Sequence, residues 1–235
     1  DARNKGDPKA EGSEAIVLWA SDTVRDEGVM IAFGLDMLGL KPVWNSRGIV
    51  EGLKRQELGE GRVRRDVVFT TSGLFRDLYG ELLVWLDRGT RLALQASATT
   101  IRERHPALTV ALNSALGPAQ ELGEPGSEPL SKNRVAAHWV KDTRQALSEG
   151  LTPEDAGEQS VRRVYGDAPG SYGAGVNRLA ERSGSWDDRS ELADTYLRRL
   201  GFTDTDSMDL VVLAGSAVSA KVSPMTRTMG AKKRP

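Results

Sequence analysis

"RRDVVFTTSGLFRDLY", Arg64–Tyr79, joins a short apolar run to a polar turn and then to an amphipathic segment. The apolar run predicts a strand from Asp66 to Thr71 that is buried on both faces of a sheet. The amphipathic segment, from Leu78 to about Glu103, has the periodicity of a helix. A buried strand that leads into a helix is typical of an α/β fold with a parallel sheet.

The residues before this stretch show the same alternation. The apolar run Ala15–Ala20 predicts another buried strand, and a helix capped by Thr23 and Asp26 is expected to follow it. Pro42–Asn45 predicts a further strand, and the ten residues after it predict a turn into a short polar hairpin. The first half of the chain is therefore predicted to be α/β, a parallel sheet with flanking helices of flavodoxin- or Rossmann-like type.

The second half is predicted to be mainly helical. One helix is expected to end at Gly150, and the next to begin at the cap Thr152 and continue to Gly166. We therefore divide the chain into five segments: a flexible N-terminal segment (1–14), an α/β domain (15–116), an exposed loop (117–131), a helical part with a glycine-rich loop (132–202) and a divergent, disordered tail (203–235).

Composition excludes several classes of function. The 235 residues carry a net charge of −1, so no strong field attracts the chain to nucleic acid or to an anionic membrane. No apolar run reaches the length of a transmembrane helix. Because the chain has no cysteine, disulfides and thiolate metal sites are absent, which fits a cytoplasmic location. The missing initiator methionine suggests that the chain is a fragment.

A loop rich in glycine, Gly166–Gly175, lies between two predicted helices. It is not a Walker A loop, because the GxxxxGK[ST] pattern is absent. The dinucleotide-binding fingerprint requires a strand before the loop, and a helix is predicted there instead. A structural turn and a functional loop both stay open for this segment.

Two polar groups of residues have a structural and a functional interpretation. Ser72 lies outside a GxSxG elbow, and only His105 and His138 could serve it as a base, so a serine hydrolase is disfavoured. His138 is either a hydrogen-bonded structural residue or a ligand. Arg76 and Asp77 form either a local ion pair or part of a site at the end of a strand.

Six motifs, taken together and in this order, resemble one family. They are "VLWASDTVRDEG", "LGLKPVWN", "RRDVVFTTSGLFRDLY", "EPLSKNRVAAHW", "RRVYGDAPGSYGAGVNRL" and "SWDDRSELADTYLRR". The family is the large subunit of ATP-dependent metallochelatases, which includes the cobaltochelatase large subunit and the magnesium-chelatase H subunit. The resemblance extends from Ala15 to about Phe202, and it implies a late segment of a much longer polypeptide.

The resemblance also implies a function. The chain would bind a tetrapyrrole substrate and insert a divalent metal, Co or Mg, in cobalamin or (bacterio)chlorophyll biosynthesis. ATP would be hydrolysed by partner AAA+ subunits, which explains why a Walker A loop is missing here. The loop "GDAPGSYGAG" is slightly more similar to the cobalt branch than to the magnesium branch.

Site residues are carried over from matching motif positions. The candidates for proton or metal handling are Asp22, Asp77 and His138, because carboxylates and imidazole accept protons and bind divalent metals. No specific set of metal ligands is assigned. The candidates for tetrapyrrole binding are Arg76 at a propionate or acetamide edge, Tyr172 against the ring, and Asp167, Gly170 and Trp19.

The sequence departs from the family pattern in two places. The stretch "NRVAAH" keeps Asn133, Val135 and His138 but lacks the family's basic pair, and the resemblance fails after Phe202. An alternative function is therefore a non-catalytic α/β module, derived from a chelatase, that binds a tetrapyrrole or a protein. A chelatase site predicts an apolar cleft in which Asp22, Asp77 and His138 converge. A binding module predicts scattered polar residues and an exposed apolar patch.

Overall fold

A computed structural model describes residues 12–166, 188–199, 202–203 and 211–212. The strands are β1 (Glu14–Leu18), β2 (Leu40–Trp44), β3 (Val50–Arg55), β4 (Val67–Thr71), β5 (Val164–Gly166), β6 (Phe202–Thr203) and β7 (Val211–Val212). The α-helices are α1 (Ala20–Arg25), α2 (Val29–Met37), α3 (Gly73–Gln95), α4 (Ala98–Arg104), α5 (Thr109–Leu116), α6 (Arg134–Ser148), α7 (Pro153–Val161) and α8 (Arg189–Arg199). Short 3₁₀ turns cover Pro106–Leu108, Gly117–Leu122 and Leu130–Lys132.

The main sheet has the strand order β1-β4-β5-β6-β7. Its first three strands are parallel, with Ile16 opposite Phe69 and Phe69 opposite Val164, whereas β6 and β7 add antiparallel pairs. Ile16, Phe69 and Val164 are all buried. β1 is buried on one face only, because Val17 is 44% exposed, so the prediction that this strand is buried on both faces was wrong. The predicted fold class, α/β with a parallel sheet and flanking helices, is confirmed.

The second predicted strand lies outside this sheet, so its assignment to the parallel sheet was wrong. β2 pairs with β3 in an antiparallel hairpin that forms a separate two-stranded sheet. The side chain of Asn45 closes the turn by accepting the backbone N–H groups of Arg47 and Ile49. Val43 and Trp44 are exposed, which fits a hairpin at the surface and not a strand buried on both faces.

The third parallel strand comes from residues that were predicted to be helical. α7 ends at Val161, Arg162 is extended (φ −64°, ψ 127°), and Val164–Gly166 pairs with β4. Tertiary pairing with a buried strand thus overrides a helix-like local pattern. A strand therefore does precede the glycine-rich loop, contrary to the ground used to exclude a dinucleotide fingerprint, although the loop sequence itself still lacks GxGxxG.

Two predicted helices are interrupted. The first was expected to start with a Thr23–Asp26 cap, but α1 begins at Ala20, and Asp26 instead accepts the Gly28 backbone N–H at its end. Glu27 (φ 54°) and Gly28 (φ 80°) adopt left-handed backbone conformations that separate α1 from α2. The helix expected from Leu78 to Glu103 begins earlier, at Gly73, and divides into α3 and α4.

The long helix α3 forms the centre of the hydrophobic core. Phe75 and Leu86 on this helix are completely buried. α2 approaches β4 closely at Gly34, where a Cβ atom would collide with the Phe69 ring. On α6, Trp139 is completely buried and donates its indole N–H to Gly157 O at 3.1 Å. Among the described residues, no helix has both the length and the apolar character needed to cross a membrane.

Candidate functional site

The three parallel strands end side by side. Leu18, the last residue of β1, pairs with Thr71 at the end of β4, and Thr71 pairs with Gly166 at the end of β5. Each strand end continues into a segment that carries family motif residues. Because ligands of parallel α/β sheets bind beyond the carboxyl ends of the strands, this edge is the candidate site.

Two of the candidates follow β1. Trp19 is 39% exposed and directly precedes α1. Asp22 lies in the first turn of α1 and forms an ion pair with Arg25. The distance between Asp22 Oδ1 and Arg25 Nη2 is 2.7 Å. Both side chains of this pair face solvent, so the Asp22 carboxylate is open to a ligand at the sheet edge.

Two further candidates follow β4. The hydroxyl of Ser72 caps α3 by accepting the Phe75 backbone N–H at 3.2 Å, so Ser72 has a structural role. Asp77, in the first turns of α3, is exposed. Arg76 lies against the end of β5: a Cβ atom on Gly166 would be 2.9 Å from its Nη2 atom. The absence of a side chain at Gly166 therefore makes room for the Arg76 guanidinium beside the start of the glycine-rich loop.

The glycine-rich loop itself is outside the described residues. The candidates Asp167, Gly170 and Tyr172 lie within 167–187, so their assignment to tetrapyrrole binding stays a prediction. The structure fixes only the position at which the loop leaves the sheet, directly after Gly166 and beside Arg76.

His138 lies at the opposite end of the sheet. Its Nδ1 atom is 2.7 Å from Asp66 Oδ2, directly before the first residue of β4. Asp66 is fully buried and also accepts hydrogen bonds from Arg163 Nε at 2.8 Å and from Ser13 Oγ at 2.7 Å. Asp142 is 3.6 Å from Arg163 Nη2. These residues, Ser13, Asp66, His138, Asp142 and Arg163, form what we call the amino-end network.

Electrostatics within the amino-end network favour the charged pair. Burial by itself would raise the pKa of Asp66, but the Arg163 charge and the hydrogen bonds from His138, Arg163 and Ser13 hold that pKa well below its usual range. Burial also opposes the charge on Arg163, yet Asp66 raises the Arg163 pKa. Burial raises the pKa of Asp142, and it raises the pKa of Tyr165 to about 12.

The structure therefore separates the three residues that were predicted to converge. Asp22 and Asp77 follow the carboxyl ends of β1 and β4, on helices α1 and α3 that contact each other. His138 binds the residue before β4, and the five residues of that strand span about 17 Å. The predicted convergence of His138 with the two aspartates is wrong, because α6 contacts the sheet at its amino end.

Sequence reasoning missed Asp66 and Arg163. Asp66 directly precedes β4, Arg163 directly precedes β5, and both residues are buried. A buried charge needs a counter-charge. That position next to an apolar run was the available signal, but a separation of 97 positions gave no indication that they pair. Among residues 12–166 and the shorter described segments, no cluster of three or more histidine or acidic side chains could hold a metal ion.

Comparison with known proteins identifies the family. Residues 12–210 match the family model described as CobN/Magnesium Chelatase. The chain belongs to this family. The match agrees with the resemblance found in the sequence, and it extends slightly beyond Phe202.

Individual relatives include both kinds of chelatase. The chain is 32% identical over 196 residues to the magnesium-chelatase H subunit of Cereibacter sphaeroides, which covers 83% of this chain and 13% of the relative. It is 30% identical over 194 residues to the aerobic cobaltochelatase subunit CobN of Pseudomonas aeruginosa. That match covers 80% of this chain and 13% of the relative. These matches support a fragment of a chelatase large subunit, with similar identity to the magnesium and the cobalt proteins.

A solved structure shares the fold. The catalytic subunit of cobaltochelatase from Mycobacterium tuberculosis superposes with a TM-score of 0.59 at 29% identity, over 81% of this chain and 13% of that subunit. The chain thus spans about 13% of the length of the curated relatives described above. The described fold corresponds to one part of a large chelatase subunit.

Proposed function

We propose that this chain is the part of a metallochelatase large subunit that presents carboxylates to a tetrapyrrole during metal insertion. The observation that carries the proposal is the alignment of three strand ends, Leu18, Thr71 and Gly166, each followed by family motif residues. Asp22 and Asp77 follow two of these ends, and Arg76 lies beside the third. Parallel sheets bind their ligands at this edge.

The proposed chemistry follows from the side chains. Insertion of a divalent metal breaks two pyrrole N–H bonds, and each nitrogen keeps the electron pair that then binds the metal. The exposed carboxylates of Asp22 and Asp77 would accept the protons or hold the hydrated ion. The planar guanidinium of Arg76 would bind a carboxylate or amide at the ring edge, with Trp19, Asp167, Gly170 and Tyr172 completing the binding surface.

His138 receives a different role in this proposal. Its hydrogen bond to the fully buried Asp66 and its position at the amino end favour a structural function over proton transfer to a substrate. A role in proton or metal handling would require a second site, at the amino end of the sheet.

The metal and the partners belong to the proposal as well. We favour cobalt slightly, from the sequence of the glycine-rich loop, with ATP hydrolysed by AAA+ partner subunits in the cytoplasm. The absence of a Walker A motif from the sequence supports a nucleotide site on another chain.

The test uses an intact large subunit that carries this segment, assembled with its ATPase subunits. Asp77→Asn removes a proton-accepting charge while it keeps the side-chain shape, so we expect metal insertion to fall about 100-fold. Glu60→Gln, an exposed carboxylate in the loop before β4, is the matched control and should leave the rate unchanged. Equal rates for Asp77→Asn and wild type would remove Asp77 from the chemistry.

A second candidate is the non-catalytic binding module. Its support is the separation of His138 from the two aspartates, together with exposed apolar side chains such as Trp44 and Leu78. Under this alternative, the chain binds a tetrapyrrole or a protein, and Asp22→Asn and Asp77→Asn both insert metal at the wild-type rate.

A further inference from the structure

An apolar groove of about 690 Å³ lies beside the candidate site. One wall is α2, the second is the β2–β3 hairpin, and the third is the start of α3. Thr23 and Leu78 line it, and they directly follow the candidate carboxylates Asp22 and Asp77 in the chain. The groove therefore opens next to the carboxyl ends of β1 and β4.

Aromatic and aliphatic side chains form most of the groove. Trp44 on the hairpin and Trp85 on α3 both line it, and Trp44 is 59% exposed. Tyr79 contributes a third aromatic ring. The carboxylates in the lining are Glu27 and Glu81. An apolar body with a few placed polar groups is typical of a small-molecule site, and the volume lies within the usual range of about 300–1,000 Å³.

Backbone irregularities and glycines keep the groove open. Glu27 and Gly28 break the chain between α1 and α2, and Tyr79 has non-helical angles (φ −130°, ψ 35°) inside α3. Gly28, Gly48 and Gly80 line the groove, and a Cβ atom added at any of them would meet no atom within 4 Å. Bare backbone at these positions lets a flat ligand approach closely.

We infer that this groove holds the tetrapyrrole macrocycle, with one face of the ring against Trp44 and Trp85. The inference rests on the proposed function and adds to it the location of the ring. Indole faces offer stacking area to a flat conjugated ring. The negative charges of Glu27 and Glu81 would attract the incoming divalent cation. The pyrrole nitrogens would then face Asp22 and Asp77, which directly precede the lining residues Thr23 and Leu78.

The test blocks the groove without disturbing the core. Gly80 lies in α3 with open space around its Cα, so Gly80→Leu fills the groove and also improves helix propensity. Gly59→Leu is the matched control, because Gly59 also has open space but does not line the groove. The 235-residue chain and both variants are titrated with hydrogenobyrinic acid a,c-diamide and with protoporphyrin IX, with tryptophan quenching as the readout. Far-UV circular dichroism checks that each protein is folded.

We expect Gly80→Leu to weaken binding of the preferred tetrapyrrole at least tenfold and Gly59→Leu to leave it unchanged. Trp44→Phe should remove part of the quenching signal, because Trp44 would contact the ring. Equal affinity for Gly80→Leu and wild type would overturn the groove assignment and leave the proposed function standing. Binding of neither tetrapyrrole by the folded wild-type chain would overturn the groove assignment, and the groove would then suit a polypeptide segment. The proposed function is judged separately by the insertion rate of Asp77→Asn in the intact protein.

Discussion

The two ends of β4 use charged residues in opposite ways. At the amino end, Asp66 is fully buried and satisfied by Arg163, His138 and Ser13. At the carboxyl end, Asp77 is exposed on a helix that begins directly after the strand. The amino-end network joins β4, α6 and the residues before β5, so its charges stabilise the fold. At the carboxyl end, the side chains of Asp22 and Asp77 are exposed.

The difference shows that residue type alone does not assign a role to His138. A histidine and an aspartate suit catalysis at either end of a strand, and both ends of this sheet have such groups. What separates the two cases is how deeply the carboxylate is buried. Asp66 receives three side-chain partners, whereas the ion pair of Asp22 with Arg25 is largely solvated. Substitutions at the two ends should therefore differ in effect, with the largest expected for the buried carboxylate.

Removal of the buried carboxylate should have the largest effect. Asp66→Ala leaves the fully buried Arg163 with only the more distant Asp142, at 3.6 Å, as a counter-charge, so we expect the free energy of unfolding to fall by about 3–5 kcal/mol. Urea denaturation followed by circular dichroism measures the change. A loss below about 1 kcal/mol would mean that the network is not a principal stabilising element.

Acid should reduce the stability that the amino-end network contributes to the folded chain. The pKa of Asp66 is lower in the folded chain than in the unfolded chain, so the unfolded chain takes up a proton first as pH falls. The stability that Asp66 provides is complete near neutral pH and is lost progressively below about pH 5, with a slope of up to about 1.4 kcal/mol per pH unit. Asp142, whose pKa is raised by burial, has the opposite effect and offsets part of this slope.

Urea denaturation at several pH values between about 7 and about 3 measures this dependence. Asp66→Asn should show a shallower slope than wild type, because it lacks the titrating carboxylate. Identical slopes for the two proteins would assign the acid sensitivity to other groups.

Loss of the His138 imidazole should lower the free energy of unfolding moderately and leave the rate of metal insertion unchanged. His138→Ala removes one hydrogen bond to a charged acceptor, and we expect it to cost about 1.5 kcal/mol because the ring is partly solvated. Metal insertion by the intact large subunit, assayed where the variant is folded, should match wild type. A fall of more than tenfold in that assay would return His138 to the reactive site.

The smallest effect is expected for the exposed pair at the carboxyl end. Asp22→Ala removes the Asp22–Arg25 ion pair, in which both side chains face solvent, so the free energy of unfolding should change by less than about 1 kcal/mol. The same urea titration provides the measurement. A loss as large as that of Asp66→Ala would contradict the distinction between the two ends.

The sequence by itself determined the α/β class, the strands β1 and β4, and the position of polar motifs directly after them. These features are local: short apolar runs bounded by polar residues specify strands, and a strand's carboxyl end follows from the chain direction. Burial on both faces holds for β4 but not for β1, because burial depends on what packs against each face. For the same reason, the sequence was sufficient to place Asp22 and Asp77 at one edge of a parallel sheet. The order of six modest motifs was enough to indicate the family.

Only the tertiary structure decided which segments share the sheet and which charges meet. Val164–Gly166 becomes a strand because β4 offers it a partner, and the predicted second strand leaves the sheet to pair with β3. The pairing of Asp66 with Arg163 and His138 joins residues 97 and 72 positions apart. Such contacts depend on how helices and strands pack, and local periodicity contains no information about that packing.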